Sequence, residues 1–161
     1  MYGDWYARRM YMEGDSDYYY HCRKYGHPSK FGYKDLIPLW KAEKFDPDAL
    51  VDLFYKAGAR YLMSQAVHHD NFDSKYQPNF NSVKMGPHRD IVGSWKKAAE
   101  KKGMRFGISE HLAESPGFYY TNKGCDTEGK YKGIPYDGSN PAYAELYYDQ
   151  TITDTVSQGT W

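Results

Sequence analysis

A chain of 161 residues can bury one sizeable core, but it is too short for a complete eight-stranded α/β barrel, which takes about 250 residues. Its 21 lysines plus arginines balance 21 aspartates plus glutamates, so no net field draws it to nucleic acid or to an anionic membrane, and neither is expected as a partner. No window approaches the roughly 18 apolar residues of a membrane span, and Met1-Tyr2-Gly3-Asp4-Trp5 shows no basic segment running into an apolar one, so no signal peptide is visible.

Residues 1–45 are rich in Tyr, Gly, Lys and Arg and read as loop with short helices. Asp15-Ser16-Asp17 can cap a helix through Tyr18-Tyr19-Tyr20-His21, while Gly26, His27-Pro28 and Gly32 break anything longer. Cys22 and Cys125 lack metal-type spacing and fit free thiols or one bridge equally.

From Phe45 the signals sharpen. Asp46 can cap, Pro47 suits the first helical position, and Leu50, Leu53, Phe54 and Ala57 recur at helical spacing before Gly58. Ala59 to Val67 then predicts a strand, apolar enough to be covered on both faces. The pattern returns with Asp90 as cap, Ile91, Trp95 and Ala98 on one helical face, Gly103, and a strand at Met104 to Ser109. Lys56-Ala57-Gly58-Ala59-Arg60-Tyr61 echoes Lys101-Lys102-Gly103-Met104-Arg105-Phe106. Two successive helix–Gly–strand units predict an α/β fold with a parallel sheet. Residues 115–161 read as a Tyr/Gly-rich insertion, with turns at Tyr136-Asp137-Gly138 and Asn140-Pro141 and a short helix from Pro141 to Tyr148.

Each strand runs into polar chemistry: His68-His69-Asp70 after the first, Glu110-His111 after the second. Parallel neighbours place their C-termini on one side, where α/β sheets bind ligands, so the two sets should share a rim. His68, Asp70, Glu110 and His111 offer mixed imidazole and carboxylate ligation, which keeps a metal-dependent hydrolase as an alternative. Glu110 and Glu114 are carboxyl candidates for glycoside hydrolysis, though nothing in the sequence fixes their separation. The 18 tyrosines, each an apolar face with a hydroxyl, suit sugar rings or a Tyr-rich surface.

Several segments together carry a resemblance: Trp5-Tyr6-Ala7-Arg8, His27-Pro28-Ser29-Lys30-Phe31-Gly32-Tyr33-Lys34-Asp35, Lys41-Ala42-Glu43-Lys44-Phe45-Asp46-Pro47, His68-His69-Asp70-Asn71-Phe72, Asp73-Ser74-Lys75, Asn81-Ser82-Val83, Met85-Gly86-Pro87-His88-Arg89-Asp90 and Arg105-Phe106-Gly107. Their order resembles that of the α-L-fucosidases of glycoside hydrolase family 29, from about Asp4 to Glu114. The resemblance implies a (β/α)8 TIM-barrel catalytic domain, of which 1–161 would be an incomplete portion: a loop-rich early segment (1–45), two helix–strand units (46–114) and the insertion (115–161). It implies hydrolysis of terminal α-L-fucose from a fucosylated glycan with retention through a covalent fucosyl-enzyme, without a cofactor or metal, in a secreted, periplasmic or lysosomal setting.

By that resemblance His68 and His69 bind fucose hydroxyls, and Asp4-Trp5 stands where the family carries a Glu-Trp pair, with Asp4 one methylene shorter. The fourth-strand sugar contact falls at His111 in preference to Glu110. Phe72 runs directly into Asp73, a shorter loop than the family's. The aspartate nucleophile and the acid/base have no matching motif and are expected beyond Trp161, so no catalytic residue is assigned within the chain. A non-catalytic carbohydrate-binding remnant is the leading alternative. Uncovered barrel edges would also favour self-association.

Overall fold

The computed structural model describes residues 5–72, 78–112, 118–119 and 124–148. The chain divides into two compact units: Met1–Ile37 with His69–Asn71 and Ala113–Trp161, and Pro38–His68 with Phe72–Leu112.

The second unit holds both helix–strand repeats. Helix α4 (Pro47–Lys56) starts where the Asp46 carboxylate accepts the Ala49 N–H at 3.0 Å, and α5 (Ile91–Lys101) where Asp90 accepts from the Gly93 N–H at 2.7 Å. Each cap satisfies an N–H that the first helical turn leaves without a partner. Gly58 (φ 103°) and Gly103 (φ 65°) take the left-handed conformation just past the helices, where a side chain would be strained. They feed β1 (Tyr61–Val67) and β2 (Arg105–Glu110), which pair in parallel.

Val51, Ala98, Ala99 and Met104 form this unit's core, with Ala59, Leu62, Trp95 and Phe106 packed against it. The two adjacent alanines let α5 approach closely. The sequence predicts cover on both faces of β1; instead Tyr61 is 73% and Met63 63% exposed while Leu62 packs on the core. Alternate strand residues point to opposite faces, and α4 and α5 supply the cover for one of them.

The segments that carry the family resemblance here are tied to one another. Arg89 lays its guanidinium 5.0 Å over the Phe45 ring and donates to the Phe45 carbonyl at 3.1 Å. Phe45 in turn meets Trp95 edge-on at 5.0 Å. The Ser82 hydroxyl donates to the Arg89 carbonyl, and Asn81 accepts the N–H groups of Val83 and Lys84. Lys-Phe-Asp-Pro, Asn-Ser-Val and His-Arg-Asp are therefore fixed as one structural lock.

The first unit carries α1 (Tyr6–Arg9), α2 (Ser16–Lys24), α3 (Tyr33–Leu36) and α6 (Ala144–Tyr147). Asp15 caps α2 as the sequence predicts, accepting from the Asp17 N–H at 2.8 Å. The short helix predicted over 141–148 is a 3₁₀ turn, Pro141–Tyr143, followed by α6.

The tyrosines correct both sequence readings: in this unit many are neither sugar platforms nor surface. Tyr11, Tyr18, Tyr119, Tyr136 and Tyr147 are buried, and all but Tyr119 hold two buried carboxylates. Asp126 accepts from Tyr18 (2.5 Å), Tyr136 (2.6 Å) and His27 Nε2 (3.0 Å). His27 Nδ1 accepts the Ser29 N–H, so Nε2 carries the proton that reaches Asp126. Asp137 accepts from Tyr11 (2.9 Å) and Tyr147 (2.7 Å), with the Lys34 ammonium at 3.7 Å. A buried carboxylate without such donors would be strongly unfavourable. Burial still pushes the Asp137 carboxyl up, only partly opposed by its tyrosine donors.

His21 is buried as well; its Nε2 donates to the Phe31 carbonyl at 2.8 Å, which leaves Nδ1 to accept from Tyr6 Oη at 2.8 Å. Its imidazole is pushed below the ordinary histidine range by burial. No helix among the described residues is long and apolar enough to cross a membrane.

Candidate functional site

The candidate residues divide between the two units. In the second, β1 ends at Val67, so both histidines lie beyond the strand and the alternation of strand side chains no longer binds them. The ladder runs in register from Tyr61↔Arg105 to Gln65↔Ser109 and then slips, pairing Val67 with Glu110. Without that bulge Val67 would face His111. With it, His68 follows opposite His111, whose N–H donates to the Val67 carbonyl at 3.1 Å. The imidazoles meet edge to face at 4.8 Å, His68 half-buried and His111 exposed. A bulge of this kind re-aims side chains at a strand end. Glu110 is exposed at the end of β2.

In the first unit, His69 is buried and its ring lies 5.7 Å from the Phe118 ring. Trp5, immediately before α1, lies 5.7 Å from the same ring. Arg8 sets its guanidinium 5.7 Å over Trp5 and donates to the Phe118 carbonyl at 3.0 Å.

Asp70 is held twice. Tyr33 Oη donates to its carboxylate at 2.5 Å, and Tyr119 Oη to its carbonyl at 2.6 Å. Burial and the adjacent carboxylate push the Tyr33 hydroxyl well above the ordinary tyrosine range, which keeps it a donor. Asn71 adopts φ 56° and donates its side-chain amide to the Glu145 carbonyl at 2.6 Å. Of the residues in the metal reading, Asp70 has its Oδ2 on the Tyr33 hydroxyl.

Asp4 and Glu114 lie outside the described residues. Sequence reasoning missed Tyr33, Phe118, Tyr119 and the Asn71 anchor. Their partners lie 37 to 110 residues away or more in sequence, and no periodicity links them. Chemically, the His69 imidazole and the Trp5 indole face of the first unit suit a ligand that is hydroxylated on one side and apolar on the other.

A sequence profile of the family described as Alpha-L-fucosidase matches residues 1–158. The chain is 38% identical over 102 residues to tissue alpha-L-fucosidase of Rattus norvegicus, covering 62% of this chain and 22% of that protein. It is 35% identical over 114 residues to tissue alpha-L-fucosidase of Homo sapiens, covering 69% of this chain and 24% of that protein. The chain thus spans about a quarter or less of these curated relatives. A Thermotoga maritima alpha-fucosidase solved in complex with fucose superposes with a TM-score of 0.60 at 34% identity, covering 93% of this chain and 35% of that one. The same enzyme with a mechanism-based inhibitor gives a TM-score of 0.63 at 33% identity, covering 93% and 34%.

Proposed function

Given that the chain belongs to the alpha-L-fucosidase family, we propose that the whole protein releases terminal α-L-fucose from glycoconjugates with retention of configuration, and that this chain supplies part of the fucose pocket. In this reading β1 and β2 are consecutive strands of a (β/α)8 barrel. Its ligand site then lies at their C-terminal ends, where His68 and His111 stand.

His68, His69, Trp5, Asp4 and His111 are the fucose contacts: the imidazoles bond sugar hydroxyls and Trp5 covers the apolar ring face. The observation that carries the reading is the β1 bulge, which brings His68 opposite His111 in a chain matched to the family over 1–158. The Thermotoga maritima enzyme solved with fucose supports the ligand class.

Retention requires a carboxylate nucleophile and a carboxyl acid/base about 5 Å apart, and we assign neither within the chain. The 161-residue polypeptide should therefore bind fucose and hydrolyse no aryl α-L-fucoside. Fucose titration followed by tryptophan fluorescence should saturate and weaken about tenfold or more in His68→Ala, the scale of a lost hydrogen bond to a sugar hydroxyl. Turnover abolished by a point change within the chain, or equal titrations for the two proteins, would overturn the reading.

A further inference from the structure

We infer that Phe118 and Tyr119 are positioning residues that hold Trp5 and His69 at a fixed spacing for the sugar. The inference rests on the fucose-pocket reading and concerns the first unit alone. Nothing in the sequence marks these two residues; the geometry does.

Phe118 is fully buried, with its ring 5.7 Å from Trp5 on one side and 5.7 Å from His69 on the other. Arg8 fastens two of these parts together, since its guanidinium lies over the indole and its Nη1 reaches the Phe118 carbonyl. The next residue controls the loop. Tyr119, also buried, meets Phe118 edge-on at 5.2 Å and Tyr147 at 4.9 Å, so its ring is wedged and its hydroxyl aimed.

That hydroxyl donates to the carbonyl of Asp70, one residue past His69, while Tyr33 holds the Asp70 carboxylate and Asn71 is anchored to Glu145. The peptide that follows His69 is thus fixed at a carbonyl, a carboxylate and a side-chain amide, and its imidazole is fixed by the Phe118 ring. A binding group whose rotamer is locked by such packing loses little freedom when the ligand arrives. Trp5 and His69 come from segments more than sixty residues apart in sequence; Phe118 is the element they share.

The test is NMR of the intact 161-residue chain, reading the His69 Cε1–H and Trp5 indole N–H resonances, together with fucose titration. Phe118→Leu should move both resonances, because each loses the ring current of the shared phenyl, and should weaken fucose about tenfold. Tyr119→Phe keeps the buried ring and removes one hydrogen bond; it should move His69 and leave Trp5 nearly in place, with fucose weakened about three- to tenfold.

Tyr18→Phe, which loosens the Asp126 network of the same unit, should move neither resonance and leave fucose affinity unchanged. If Phe118→Leu does not fold, Tyr119→Phe decides. Unmoved His69 in Tyr119→Phe, or equal shifts in Tyr18→Phe, would overturn the positioning role. Shifts as described in a wild-type chain that binds no fucose would support the bracket and sink the fucose-pocket reading instead.

Discussion

Gly32→Ala puts the buried tyrosine network to a quantitative test. A Cβ built on Gly32 falls 1.9 Å from Asp137 Oδ2 and 2.1 Å from its Cγ, whereas relaxed contacts between non-bonded heavy atoms need about 3.5 Å. The backbone at Gly32 (φ −103°, ψ −169°) is open to any residue, so the penalty is steric and falls wholly on Asp137. The carboxylate must retreat by roughly 1.5 Å, breaking its bonds from Tyr11 and Tyr147. Hydrogen bonds to a charged group contribute about 1.5–3 kcal/mol each, giving about 3–6 kcal/mol for two. Once released from Asp137, one of the two hydroxyls can donate to the other, 2.9 Å away, and the N–H groups of Tyr33 and Lys34 still donate to them, which places the expected loss near the lower end.

Urea unfolding followed by the near-ultraviolet signal of the tyrosines measures it. The same change in an Asp137→Ala background should be neutral or slightly stabilising, since the obstacle is gone and alanine restricts the unfolded chain. A loss below about 1 kcal/mol for Gly32→Ala, or an equal loss in both backgrounds, would mean that Asp137 yields to a Cβ at Gly32 without giving up its tyrosine donors.

Acid should act through His21. Burial lowers its folded pKa below the ordinary value, so the unfolded chain binds the proton better. Its contribution is fully present above about pH 6.5 and is lost as pH falls through the folded value; thermal midpoints taken from pH 7.5 to 5 should fall, and His21→Gln should flatten that slope. Asp46→Ala and Asp90→Ala each remove a helix cap and should cost about 1 kcal/mol by urea unfolding. Ala99→Leu forces a larger side chain into a fully buried site under α5; overpacking should cost about 1–3 kcal/mol, read from the same denaturation curves. A stability equal to wild type would mean that α4 and α5 are not held as closely as described.

The sequence alone determined what short-range chemistry controls. Asp15, Asp46 and Asp90 announce helix starts because a carboxylate reaches an N–H two or three residues ahead, and Gly58 and Gly103 announce the helix ends because few other residues take a positive φ. The repeated helix–Gly–strand pattern made the parallel pair legible, and with it a common rim for His68 and His111. Tertiary structure decided the rest. The one-residue slip at Gln65/Val67 that sets His68 against His111 depends on pairing between strands more than forty residues apart, and no local signal encodes it. The tyrosines read as surface or sugar contacts because composition does not reveal burial; buried, they donate to Asp70, Asp126 and Asp137. Phe118 and Tyr119 acquire meaning only when folding brings them to Trp5, His69 and Asp70, since side-chain contacts between distant segments leave no periodicity in the chain.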